Sequence, residues 1–76
     1  MMIRIDSVGD VLNSSRAGHK IRVLDDSTAT GGFIIYEWWD GSSGPNAQGA
    51  FDSWVPDRDS LHQFFTEAGW VVGWPA

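Results

Sequence analysis

Phe33-Ile34-Ile35-Tyr36-Glu37-Trp38-Trp39 is the run that decides the fold. β-Branched and aromatic side chains fill it, and such residues pack best on a pleated, extended backbone. Successive side chains on a strand point to opposite faces, and here both faces are apolar. The run is therefore expected as a central strand covered on both sides, or as an inner strand whose second face meets a partner.

Working upstream, Gly31-Gly32 and Asp25-Asp26-Ser27-Thr28 read as a turn. Before it, residues 19–24 alternate apolar Ile21 and Val23 with charged Lys20 and Arg22, the period of a half-buried strand. Further back, Val8, Val11, Leu12 and Ser15 fall at helical spacing. Ser7 and Asp10 suit a capping-box start, and Gly18 suits a left-handed stop, although Gly9 opposes a helix there. Ile3 and Ile5 flank Arg4 and suggest a short extended lead-in.

Downstream, Asp40-Gly41-Ser42-Ser43-Gly44-Pro45-Asn46 reads as a flexible loop, and residues 50–55 as another strand that Pro56 ends. Leu61, Phe64, Phe65 and Ala68 recur at i, i+3, i+4 and i+7, with Asp57 or Asp59 as cap and Gly69 as terminator, so a helix is expected. Residues 70–74 form a closing strand before Pro75. The expected architecture is a single α+β domain over 1–76. It has a small antiparallel sheet of four to five strands with two short helices, in the order β-α-β-β-β-α-β.

A chain of 76 residues buries only ~60% of its unfolded surface, so its core must be dense. There is no cysteine to staple it or to act as nucleophile. Five Trp, four Phe and one Tyr supply the volume, each burying ~150–250 Å². Ten acids oppose five bases, a net charge of −5. That balance disfavours nucleic acid, whose binding needs a basic patch, and disfavours anionic membranes. It suits a basic protein partner, or solubility alone. No stretch approaches the ~20 apolar residues of a membrane span, and residues 1–6 do not read as a signal peptide. Cytoplasmic residence is the resulting expectation.

Catalytic motifs are sought without success. His19 opens a strand and His62 falls beside the helical apolar stripe, and both read as solvated or capping residues. No G-x-S-x-G or S-x-x-K occurs, and Ser60 and His62 stand two apart on a helix, where side chains diverge. The glycine pairs lack the helix and lysine that a phosphate cradle needs. Asp57-Arg58-Asp59 and Asp25-Asp26 read as cap and turn residues, not as a calcium loop. No catalysis, metal or cofactor is expected, and binding is.

The tryptophans carry that expectation. Trp38 and Trp39 are adjacent and must face opposite ways; Trp70 and Trp74 share a face; Trp54 precedes Val55-Pro56 where it could plug the core. Exposed tryptophan beside acids is a composition typical of interface hot spots. Glu37, Trp38, Asp40, Asp52, Trp54 and Asp57 are accordingly the candidate binding residues. A sugar platform is the alternative, with Asn46, Gln48 and Asp52 nearby to hold hydroxyls, and a homo-oligomeric subunit is the third reading.

Gly32-Phe33-Ile34-Ile35-Tyr36, a glycine-rich loop, Trp54-Val55-Pro56, a short amphipathic helix and a closing strand after Gly69 together resemble small immunity proteins of bacterial polymorphic toxin systems. The resemblance covers residues 31–74 and leaves the N-terminal part unmatched. It implies a non-enzymatic binding function with a toxin as partner, and the net charge of −5 suits a toxin of basic character. No functional residue is carried over from it.

Overall fold

A computed structural model describes residues 2–44 and 49–75. Five strands and one helix follow in order: β1 (Val8–Val11), β2 (Lys20–Asp26), β3 (Gly32–Trp38), β4 (Phe51–Val55), α1 (Arg58–Ala68) and β5 (Val72–Gly73). The sheet is ordered β4-β3-β2-β1-β5, and every neighbouring pair is antiparallel. The α+β class and the antiparallel sheet agree with the sequence; the second helix and the order β-α-β-β-β-α-β do not.

The correction lies at the N-terminus. Residues 8–11 form a strand, with Gly9 opposite Ile21, and residues 3–5 are a lead-in outside the sheet. Two facts outweigh the helical spacing. Glycine in a helix interior costs ~1 kcal/mol relative to alanine. Moreover, a Cβ at Gly9 would lie 2.6 Å from Val72 Cγ1 and 2.9 Å from the Trp74 ring, so the strand needs a residue without a side chain there. Ile3 and Ile5 nevertheless pack on the core.

The helix and its caps form as the spacing indicates. Asp57, in extended conformation, accepts a 2.8 Å bond from the Ser60 N–H. Gly69, at φ 70°, closes the C-terminus with its N–H on Phe65 and Thr66 carbonyls. Leu61 and Phe65 are buried and Phe64 is half-buried, but Ala68 is exposed. The chain leaves β4 at one sheet edge and returns as β5 at the other, so α1 lies over one face only.

Side-chain alternation then sorts the sheet. Val11, Ile21, Val23, Phe33, Ile35 and Val55 turn toward the helix and form the core with Leu61 and Phe65. Trp70 and Trp74 flank Phe65 at centroid distances of 5.3 and 6.4 Å. Val71, of opposite parity, is exposed. Even-numbered residues of β2, β3 and β4 face the other way, where no second layer is described. Among the described residues no helix is long and apolar enough to cross a membrane.

Candidate functional site

The uncovered sheet face is read off the register. Leu24, Ile34 and Trp54 form one row across β2, β3 and β4; Arg22, Tyr36 and Asp52 form the next; Lys20 and Trp38 follow. Leu24, Ile34, Tyr36 and Trp38 are half-buried, Asp52 is exposed, and Trp54 is 50% exposed. Trp54 does not plug the core, because its parity puts it opposite to Val55. Its indole lies against Gly32, where a Cβ would come within 2.7 Å of Nε1, and Nε1 donates to Thr30 Oγ1 at 2.8 Å. The ring is thus both exposed and held.

Charge on this face is mostly paired. Lys20 pairs with Asp10, and Arg22 pairs with Asp6, its Nε lying 3.1 Å from Oδ1. Asp26 accepts from the Thr30 hydroxyl at 2.9 Å. Four carboxylates on or beside the face (Asp6, Asp10, Asp26, Asp52) stand against two cations (Lys20, Arg22), leaving the face net negative.

Of the six candidate residues, the fold brings Trp38, Asp52 and Trp54 onto this one face and separates the rest. Asp40 sits in the turn after β3, its N–H on the Ala17 carbonyl at 2.9 Å. Asp57 is occupied as the helix cap, and the hydrogen bonds from Ser60, the backbone N–H first, hold its carboxyl below its ordinary value. Asn46 and Gln48, named for a sugar site, lie outside the described residues.

Glu37 belongs to a second cluster on the helix side. His19, at 6% exposure, is buried rather than solvated. Its Nε2 is 2.8 Å from Glu37 Oε2 and its Nδ1 is 2.7 Å from Ser14 Oγ. Arg16 lies 3.6 Å from the same Glu37 oxygen and stacks 4.0 Å over Trp39, which in turn stacks on Phe51. Trp39 and Trp70 pack edge-to-face with the imidazole, at centroid distances of 5.5 and 6.0 Å. Ser14, Arg16, His19, Glu37 and Trp70 border a cleft of about 330 Å³ between the β1–β2 connection and the C-terminal end of α1.

Ser14 and Arg16 are not among the residues expected at a site, and His19, expected as a solvated or capping residue, is buried. The signal was parity. His19 shares a face with Ile21 and Val23, and Glu37 shares one with Phe33 and Ile35, so both polar groups sit on core-facing sides of adjacent strands. A buried polar group needs a partner, which makes the two each other's natural complement. Ser14 could not be found this way, since the residues around it read as helix. No family model, curated protein or solved structure matches this chain.

Proposed function

We propose that this chain is a protein-binding module, an immunity-type inhibitor of a toxin, and that it docks the uncovered face of its sheet onto a basic partner. The observation that carries the reading is Trp54, half-exposed yet fixed by Thr30 and seated on Gly32. A rigid aromatic loses little entropy on binding, and tryptophan is among the residues that dominate interface energetics. Ile34, Leu24 and Tyr36 extend the apolar area beside it. Asp52 and the net charge of −5 favour a cationic surface opposite.

The test is co-expression with the products of neighbouring genes, followed by calorimetry on any complex. Trp54→Ala should weaken binding about thirtyfold or more, the ~2 kcal/mol typical of a hot spot, with little change in Tm. Asp52→Asn should weaken binding most at low salt. No complex with any neighbour's product, or an unaltered affinity in Trp54→Ala, would sink the proposal. The open indole face also supports the sugar-platform reading, and a tryptophan-fluorescence response across a glycan panel separates the two.

A further inference from the structure

The geometry points to Ser14 as an activated nucleophile for acyl transfer, with His19 as its general base and Glu37 as the group that orients the base. Nucleophilic serine chemistry needs a hydroxyl within hydrogen-bond reach of a base, and that base held by a third group. Both contacts are present, at 2.7 and 2.8 Å: Ser14 and His19 come from the β1–β2 connection, His19 immediately before β2, and Glu37 comes from near the end of β3. This departs from the expectation that the chain has no chemistry of its own, and it concerns the face opposite to the docking surface.

Protonation follows from the partners. An ionised Glu37 can only accept, so Nε2 carries the ring proton in the neutral imidazole and Nδ1 is left as the acceptor. The Arg16 N–H donates to Ser14 Oγ at 3.0 Å, which leaves the hydroxyl proton directed to Nδ1. The two ring nitrogens have exchanged the roles they hold in serine proteases, with the same logic of tautomer control. Burial keeps the imidazole in one place, and the rings of Trp39 and Trp70, near perpendicular to it, wall it.

The reaction balances without a cofactor. Ser14 Oγ attacks the carbonyl carbon of an ester, and its proton passes to Nδ1. The imidazolium is stabilised by Glu37 through Nε2–H. The carbon–oxygen bond to the alcohol then breaks, and the alcohol leaves with the proton from Nδ1. A water molecule then attacks the acyl-Ser14 carbonyl carbon and gives a proton to Nδ1. The carbon–Oγ bond breaks, Oγ takes that proton back from Nδ1, and the carboxylic acid leaves with Ser14 and neutral His19 restored. A cleft of about 330 Å³, with Val11, Ala68 and Trp70 on its apolar side, suits a short acyl group.

The experiment is treatment of the whole chain with p-nitrophenyl acetate, with peptide mapping of the adduct and stopped-flow release of nitrophenolate. An acetyl group on Ser14 is expected, with Ser14→Ala removing it and Glu37→Gln slowing its formation about 10²-fold. Near-ultraviolet circular dichroism confirms that both variants keep the aromatic packing. Acetylation confined to Lys20, His19 or the amino terminus would overturn the assignment, as would an acetylation rate in Glu37→Gln equal to that of the unaltered chain.

Discussion

Asp57 shows how a single carboxylate can read as interface and serve as scaffold. In the sequence it is a candidate binding residue because it is acidic and clusters with the other candidates around the loop and the strand-to-helix junction. Its oxygen is instead committed to the Ser60 N–H, and that bond favours the ionised form. The sign of the linkage is fixed by this direction. A carboxyl whose pKa is depressed on folding contributes stability above its unfolded pKa, and the contribution fades as pH falls through the lower, folded value. Asp25 acts in the same sense through the side chain and N–H of Ser27. Asn caps a helix as well as Asp does but does not titrate. Asp57→Asn should therefore match the unaltered chain in Tm near neutrality and show a shallower fall in Tm below about pH 4. Thermal melts between neutrality and strong acid check this; an equally steep acid limb in the variant would refute it.

At the scale of elements, the two ends of the chain were not equally legible. The helix over residues 58–68 carried three concordant signals, its period, its Asp cap and its Gly stop, and it forms as they indicate. The run at 32–38 was equally plain, since no other local structure accommodates so many β-branched and aromatic residues. Residues 8–11 were misread because two valines three apart fit either period, and the deciding contacts come from residues 72–74. No local rule reaches that far. The same long-range constraint gives a prediction at Gly9. Alanine there has higher propensity for either regular structure, yet its Cβ would overlap Val72 and the Trp74 ring. Gly9→Ala should cost about 1–3 kcal/mol through overpacking, a drop in Tm of roughly 4–8 °C per kcal/mol for a domain of this size. A variant as stable as the original would mean that β5 gives way at no cost.

Across the molecule, among the described residues, one helix covers one face of a five-stranded sheet and no second layer covers the other. The sequence anticipated a central strand with two apolar faces, and it left open whether a helix or a partner would cover the second. The fold answers for this chain alone: α1 is committed to the odd-numbered side of β3, and nothing described covers the even side. Half of the candidate site was legible for that reason. Trp38, Asp52 and Trp54 share the parity that leaves them together, whereas Glu37 is one residue out of phase and is drawn to His19 on the far side. A one-residue change in position moves a strand residue between faces, so nearness in sequence was a poor guide to nearness in space.

The seating of β5 beside β1 also governs the order in which the molecule assembles. β2, β3 and β4 are antiparallel neighbours in sheet and sequence alike, whereas Val11 meets Val72 across most of the chain. Closing so long a loop costs entropy before any contact repays it. The meander is thus the natural nucleus, and β5 arrives after the transition state. Val72→Ala should then hasten unfolding while leaving the refolding rate within about twofold, as stopped-flow refolding would register. A slowed refolding limb would instead place the last strand among the first contacts made. Until β5 docks, the apolar flank of Val11 and Phe65 stands open to water, and the molecule's hazard of self-association is concentrated in that interval.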